Sequence, residues 1–378
     1  MKKEALDALI REMIRMSDGR LDIGAFQESA SFRSIVENQT LMTEYPKEDD
    51  PAVIAYWREK GLIKTLHGAG TGRQYDKWAS YVPVEWEEKK DARYPLLFVM
   101  HGANNPIYLA ESYGYTNIAA REKLVAIIPE DETPGNMEKL FAYARENLPV
   151  DWTRVYMAGY SLGGYMTARH AFRWPERFAA VGVGGMLFAN GWAAPHSQGG
   201  KVWEGEYITP EMVENAAKFR VPACITMGEN EMIGLIPATK DAPEPKGPRP
   251  AEIGADGRPV KREGIDLSSR NKIATINNWR VMNGSFPVDE ETVRERVSRS
   301  ADITVEKLGF PFERTAVITR EDRSYFVGES PDGEGRTFLE VIGCAKSPHW
   351  PSQMQTELTW EFLSRFALDP DTGKSYLR

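Results

Sequence analysis

A glycine-flanked serine is the first group of residues that could do chemistry. Gly159, Tyr160, Ser161, Leu162 and Gly163 match the pattern G-x-S-x-G, between an apolar segment and a helix-like segment. A serine on a sharp strand-to-helix turn projects its hydroxyl above the sheet, and only small residues fit two positions before and after it. The pattern fits a nucleophile or a plain tight turn, and its flanking segments favour the nucleophile. We predict that Ser161 is a nucleophile.

A serine nucleophile needs a histidine as its base. The chain has five histidines: His67, His101, His170, His196 and His349. With this kind of turn the partners follow in the chain order serine, acid, histidine. His349 satisfies that order, since it lies between the last predicted strand and the last predicted helix, whereas the other four come too early. We predict His349 as the base; the alternative is an exposed loop histidine that stacks on Trp350.

The acid that orients this histidine is expected after an earlier strand. The segment VPACITMGENE places Glu231 after the turn glycine Gly228 and two intervening residues, which is the usual spacing. Glutamate can replace aspartate here, because the role of the acid is to orient the imidazole and to stabilise the imidazolium. We predict Glu231, with Glu229 as the second candidate and Asp241 as the third.

The tetrahedral intermediate of such chemistry needs two backbone N–H donors for its oxyanion. The N–H of Leu162 directly follows the nucleophile and is the first. The second is expected from the loop after YPLLFVM, where Gly102 lets the backbone turn back and Ala103 offers its N–H. His101 is predicted to brace this turn.

Several neighbouring side chains are expected to bind the substrate. Asn104, with Asn105 as the alternative, follows the predicted oxyanion donor closely enough to contact it. Tyr160, Trp192 and Trp350 are predicted to form walls of the pocket.

Alternating elements must position these residues. Short apolar strands are predicted at 94–102, 123–129, 154–159, 178–185, 221–228 and 336–343, and helices at 137–148, 162–174 and 353–368. Strands that are apolar on both faces and alternate with helices indicate a parallel sheet covered on both sides. The predicted fold class is α/β, with a mostly parallel central sheet and helices on both faces.

Two segments do not follow this alternation of strands and helices. Residues 1–77 are predicted to be an N-terminal helical extension packed on the core, beginning with an amphipathic helix, and 78–378 to be the catalytic domain. Residues 235–310 are predicted to be a lid-like insertion before the last strands; the alternative is a surface excursion. The insertion begins with a stretch rich in proline, glycine and charge and continues with two predicted helices, 268–284 and 289–299.

Composition limits the function classes. The chain has 378 residues, a net charge of −8 and a pI near 5.4, which disfavours nucleic-acid binding. Its two cysteines do not form the pattern of a disulfide framework. No signal peptide or membrane span is recognisable, so a cytoplasmic protein is expected. No metal or other cofactor is expected. The expected partner is a small-molecule ester substrate rather than a membrane, and self-association into a homo-oligomer stays open.

The motifs HGANN, GYSLGG, GENE and SPHWP together resemble the α/β-hydrolase fold, over about residues 78–230 and 310–367. The set is most similar to the serine esterase branch that includes feruloyl esterases and polyhydroxyalkanoate depolymerases. This resemblance implies hydrolysis of a carboxylic ester through an acyl-enzyme. The expected substrate is a small or aryl- or sugar-linked ester, and the predicted aromatic walls of the pocket would suit an aryl or sugar-linked group. The glutamate acid and the lack of a secretion signal and disulfides depart from the polymer-degrading members and disfavour an extracellular polymer.

Two other functions are compatible with the same motifs. A serine peptidase of the prolyl-oligopeptidase type would use the same triad, but the N-terminal residues are too few for its propeller domain. A hydrolase-fold binding protein with a disabled site is the other alternative, and labelling of Ser161 by a fluorophosphonate would distinguish it from an active hydrolase.

Overall fold

The computed structural model describes residues 1–17, 21–44, 50–73, 76–103, 107–187, 196–198, 201–203, 208–231 and 269–378. Within them the strands are β1 (Leu62–His67), β2 (Trp78–Pro83), β3 (Tyr94–Met100), β4 (Val125–Pro129), β5 (Val150–Tyr160), β6 (Ala180–Gly184), β7 (His196–Gln198), β8 (Lys201–Trp203), β9 (Ala223–Gly228), β10 (Arg314–Arg320), β11 (Arg323–Pro331), β12 (Thr337–Cys344), β13 (Phe366–Leu368) and β14 (Ser375–Leu377).

The helices of the described residues are α1 (Lys3–Met16), α2 (Ile23–Gln27), α3 (Ala30–Glu44), α4 (Pro51–Glu59), α5 (Ile107–Glu111), α6 (Tyr115–Glu122), α7 (Pro134–Asn147), α8 (Leu162–Arg173), α9 (Pro210–Ala217), α10 (Ser269–Met282), α11 (Glu290–Arg299), α12 (Ile303–Leu308) and α13 (Gln353–Leu363). Within this part of the chain, none of them is both long enough and apolar enough to cross a membrane.

Ten strands form one sheet in the order β1-β2-β4-β3-β5-β6-β9-β12-β11-β10. Its centre, from β4 to β12, is parallel. The flanking strands β1, β2, β10 and β11 pair antiparallel. Met100 pairs with Gly159, and Cys344 pairs with Gly228. The loops after β3, β5, β9 and β12 therefore emerge at the same edge of the sheet.

Helices cover both faces of the sheet. Along β3, Leu96 and Phe98 point into a core shared with α7, α8, α9 and α10. Leu97 and Val99 point into the opposite core, which contains side chains of α4, α5, α6 and α13. This alternation buries both faces of the central strands, and it confirms the predicted α/β class with a mostly parallel sheet.

Three elements differ from the sequence predictions. Residues Leu62–His67 were expected within a helical extension but form the edge strand β1. This strand is hard to recognise in the sequence, because a charged residue occupies one of its core positions. Lys64 is buried, and its Nζ lies 2.6 Å from Glu111. The antiparallel pair β10–β11 was not predicted. Most of β10 is exposed, so its sequence lacks the apolar pattern of a buried strand. The last helix ends at Leu363, and Phe366–Leu368 forms β13.

The N-terminal helices form a small core of their own. The apolar face of α1 buries Leu9 and Met13 against Phe26 and Phe32 of the next two helices. Trp350, which follows His349, packs against this cluster as well as against the core that includes α13. The predicted amphipathic helix at the N-terminus is therefore present, and its apolar face contacts the loop that carries His349.

The part of the 235–310 insertion that the structure describes is packed into the main core. Helix α10 buries Ile273, Ile276 and Trp279 there. Helix α11 begins as predicted, with the Asp289 carboxylate accepting a hydrogen bond from the Thr292 N–H at 2.8 Å. The proposal of a lid now rests on residues 235–268, which lie outside the described residues.

Candidate active site

Ser161 lies on the turn between β5 and α8. Its backbone has φ of 58° and ψ of −121°, a conformation that costs a residue other than glycine about 1–3 kcal/mol. The turn is held by two backbone hydrogen bonds: the Ser161 N–H donates to Gly184 O at 2.9 Å, and the Tyr165 N–H donates to Ser161 O at 3.0 Å. The chain thus maintains a strained backbone at the predicted nucleophile.

The glycines around Ser161 allow this strain. A Cβ atom on Gly163 would overlap the carbonyl of Met100, and one on Gly159 would overlap the backbone of Gly163. The strand, the turn and the helix can approach each other this closely only without those side chains. The steric requirement that the sequence pattern predicted at both positions is therefore present.

His349 and Glu231 meet next to this turn. The distance from His349 Nδ1 to Glu231 Oε2 is 3.0 Å, and both side chains are buried. A carboxylate can only accept, so Nδ1 is the donor in this bond. Within the described residues, Nε2 makes no hydrogen bond. The histidine is therefore oriented on one side and has an available nitrogen on the other.

Glu231 is held by two further donors. The Tyr160 hydroxyl donates to Glu231 Oε1 at 2.6 Å, and the Gly228 N–H donates to the same oxygen. Glu229, the second candidate for the acid, is bound elsewhere: Lys307 Nζ donates to it at 2.6 Å and the Lys346 N–H at 2.9 Å. The geometry thus brings Glu231 to His349 and directs Glu229 away.

Electrostatics agree with this division between the two glutamates. Burial raises the pKa of Glu229, but the bonds from Lys307 and Lys346 outweigh it, so the pKa lies below its usual range. Its carboxylate is the ionised partner of a lysine. The third candidate acid, Asp241, lies outside the described residues.

One cavity of about 650 Å³ is lined by Ser161, His349 and the predicted oxyanion-loop residue Ala103. Tyr160 and Trp350, predicted as walls, also line it. Leu162 is buried as the first residue of α8, a position whose N–H has no partner within its own helix. Asn104, its alternative Asn105 and Trp192 lie outside the described residues.

Tyr160 has a role that the motif did not indicate. Its ring centroid lies 5.1 Å from that of His349, and its hydroxyl binds Glu231. Burial, and after it the charge of Glu231, raises the pKa of Tyr160 well above its ordinary value. The phenol therefore stays protonated as a donor. No signal in the sequence could have shown this, because Tyr160 occupies a variable position of the pattern.

The strand order and the strand–turn–helix at Ser161 identify the fold. The chain has the α/β-hydrolase fold. The predicted fold is thus confirmed. Ser161, Glu231 and His349 follow three different parallel strands, in the chain order serine, acid, histidine that was expected for this fold.

Solved structures of known proteins show a remote similarity to this chain. Among solved structures, the acetyl xylan esterase from Aspergillus awamori has 13% identity over 80% of this chain and 98% of that chain, with a TM-score of 0.41. The poly(3-hydroxybutyrate) depolymerase LpqC from Bordetella parapertussis has 14% identity over 83% of this chain and 93% of that chain, with a TM-score of 0.40. A ferulic acid esterase has 14% identity over 44% of this chain and 78% of that chain, with a TM-score of 0.33.

Sequence comparisons add no family assignment. No family model matches the chain, and no curated protein matches it. At 13–14% identity, the substrates of the similar structures do not transfer to this chain. The site has to be interpreted from its own residues.

His101 braces the neighbouring loop, in agreement with its predicted role. Its Nδ1 lies 2.7 Å from Gly102 O and its Nε2 lies 3.1 Å from Glu130 O. Both ring nitrogens therefore lie within hydrogen-bonding distance of backbone carbonyl oxygens. Burial alone would lower the pKa of His101, but the nearby charges of Glu132 and Glu130 raise it.

His170, in the middle of α8, serves packing. Its ring stacks on Trp174 with centroids 5.1 Å apart, and its Nε2 bonds to Glu132 O at 2.9 Å. Burial lowers the pKa of His170 to about 4. The ring is therefore neutral at physiological pH and buried inside the protein, as expected for a packing residue.

Proposed function

We propose that the protein is a serine hydrolase of carboxylic esters. The observation that carries the proposal is that Ser161, on its strained turn, and His349, bound through Nδ1 to Glu231, line one cavity. A hydroxyl, a base and an orienting acid are the three groups that acyl transfer through a serine requires.

The reaction follows from these roles. Ser161 Oγ attacks the ester carbonyl carbon while its proton passes to His349 Nε2. The negative charge on the former carbonyl oxygen is stabilised by the N–H groups of Leu162 and Ala103, which supply the oxyanion site. The C–O bond to the alcohol then breaks and the alcohol takes the proton from His349.

Water completes the cycle. It attacks the acyl-Ser161 ester, gives its proton to His349 and releases the carboxylic acid, while the proton on His349 returns to Ser161. Glu231 orients the ring and stabilises the imidazolium in both halves, and it stays ionised throughout.

The lining of the cavity supports an aryl or otherwise bulky apolar ester. Tyr108, Tyr113, Tyr160 and Trp350 contribute aromatic surface around Ser161. Flat aromatic walls bind apolar rings through buried area and through edge or stacked contacts. A small acetyl ester would bind with less of this surface.

Replacement of Ser161 by alanine tests the function. We expect Ser161→Ala to lower kcat for p-nitrophenyl acetate by about 10⁴-fold or more, because the nucleophile is lost. The melting temperature should not fall. The control is Ser298→Ala, which removes an exposed hydroxyl of α11 that bonds only to its own helix. An Ser161→Ala variant as active as Ser298→Ala would overturn the proposal.

A further inference from the structure

One face of the first helix lines the cavity of Ser161. Its lining residues recur at helical spacing: Ala5, Ala8, Leu9, Glu12, Arg15 and Met16. Residues three and four apart lie on the same side of a helix, so these six form a continuous strip along α1. The wall of the cavity is thus built by a segment remote in sequence from the nucleophile, the acid and the base.

The strip is anchored, so the wall has a fixed place. Leu9 is buried between the cavity and the small N-terminal core, which contains Met13 and Phe26 and against which Trp350 packs. Helix α3 ties the same unit to the start of α13, since Asn38 Nδ2 donates to Gln353 Oε1 at 3.3 Å and the Gln353 N–H donates to Ser34 Oγ at 3.3 Å.

The strip combines small and apolar side chains with one ion pair and carries no net charge. Ala5 and Ala8 project one carbon each, which leaves space between α1 and the aromatic side of the cavity. Glu12 and Arg15 neutralise each other: Arg15 Nη2 donates to Glu12 Oε1 at 2.7 Å and Arg15 Nε donates to Glu12 Oε2 at 2.9 Å. The strip therefore presents no unpaired charge that would select an ionic substrate.

We propose that α1 is the specificity wall of the cavity, and that the space next to Ala5 and Ala8 accepts a bulky apolar group, an aryl ring or a medium-length alkyl chain, on an ester substrate. This inference rests on the proposed ester hydrolysis and adds the part of the chain that selects the substrate. Ala8 sets the width of the space, since a larger side chain at this position would fill it while leaving Ser161, His349 and Glu231 untouched.

The test compares two phenylalanine substitutions on α1. Ala8→Phe places a ring in the lining of the cavity, whereas Ile14→Phe places the same ring on α1 outside the strip; both positions are exposed, so the two variants differ in their relation to the cavity. We expect Ala8→Phe to lower kcat/KM for bulky esters, p-nitrophenyl octanoate or naphthyl acetate, by about tenfold or more relative to p-nitrophenyl acetate. Ile14→Phe should keep the wild-type ratio.

The outcomes separate this inference from the proposed function. Acetate hydrolysis that depends on Ser161 reports on the function alone, while the ratio of bulky to small substrate reports on α1. An unchanged ratio in a folded Ala8→Phe protein overturns the inference. If that variant does not fold, Ala5→Leu is measured in its place and the same criterion holds.

A binding measurement covers the case of an inactive protein. Nile red, a neutral apolar probe, should bind the wild type and Ile14→Phe with equal affinity and bind Ala8→Phe more weakly by about tenfold. Equal affinity in all three proteins contradicts the specificity wall even if no ester is hydrolysed.

Discussion

Two buried histidine–carboxylate pairs lie at the same edge of the sheet, and they differ in what the ring nitrogens do. The Nδ1–H of His349 donates to Glu231, and its Nε2 makes no hydrogen bond in the described part of the chain. His101 lies beside Glu132, which accepts its backbone N–H, and both of its ring nitrogens lie within hydrogen-bonding distance of carbonyl oxygens. Both histidines are therefore buried beside a carboxylate, although His349 is the candidate base and His101 supports a loop.

The difference shows what a general base requires beyond its residue type. A base must accept a proton, so it needs a nitrogen lone pair within reach of the reacting group. In the described residues, Nε2 of His349 is not taken by another hydrogen bond, and the residue lines the cavity with Ser161. Both ring nitrogens of His101 are instead occupied by the carbonyl oxygens of Gly102 and Glu130. Its contribution is to hold the turn that presents Gly102 and Ala103.

The largest effect is expected at the acid of the first pair. Glu231→Gln replaces the charge that stabilises the imidazolium, and we expect kcat to fall by about 10³–10⁴-fold. The matched control is Glu229→Gln, two residues away, which removes the ion pair with Lys307. It should retain kcat. The reverse result, with Glu229→Gln inactive and Glu231→Gln active, would refute the assignment of the acid.

A smaller effect is expected from the donor that positions this acid. Tyr160→Phe keeps the ring beside His349 but removes the hydrogen bond to Glu231, and bonds to charged groups contribute about 1.5–3 kcal/mol. We expect kcat to fall by about tenfold with little change in KM. Tyr143→Phe, at a half-buried position of α7 that packs against Trp78 and does not line the cavity, is the control. Equal kcat values in the two variants would remove Tyr160 from the positioning of the acid.

The second pair should affect stability and its pH dependence rather than the chemical step. Burial raises the pKa of Glu132 to about 7, and the pKa of His101 is raised as well. The folded state thus binds more protons than the unfolded chain, so these groups stabilise at low pH. That stabilisation is lost as the pH rises, from about 4.5, the ordinary value for Glu132, through 7 and beyond.

Glu132→Gln measures this contribution. Relative to the wild type, the variant should gain stability as the pH rises from 5 to 8, with a slope of at most about 1.4 kcal/mol per pH unit for each titrating group. Urea unfolding at a series of pH values gives the difference directly. A relative loss of stability over this range would mean that the pKa of Glu132 is lowered, and the comparison between the two pairs would fail.

Much of the first pair could be predicted because its signals are local or ordered along the chain. The glycines around Ser161 report a steric requirement of the turn itself. Glu231 and His349 follow strands that the apolar pattern reveals, and parallel strands bring their carboxyl ends to one edge. These predictions therefore needed only the strand order of the fold.

The remaining features depend on contacts that sequence spacing does not encode. The hydroxyl of Tyr160 reaches Glu231 only because β5 and β9 are brought together in three dimensions. The edge strand β1 contains Lys64, whose buried partner Glu111 comes from a distant helix. The strip on α1 has the pattern of any amphipathic helix, and nothing in that pattern indicates a cavity on its polar side.

The tie between the N-terminal helices and the last helix has a consequence during synthesis of the chain. Asn38 and Gln353 are bonded although they are 315 residues apart in sequence. Helices α1 to α3 leave the ribosome first, yet their apolar side chains, Leu9, Met13 and Phe26 among them, have no complete docking site until Trp350 has been made. Contacts of such separation form late. Because His349 directly precedes Trp350, the candidate base and the residue against which the wall packs become available together, so the cavity and its wall can be completed only after translation has passed this point.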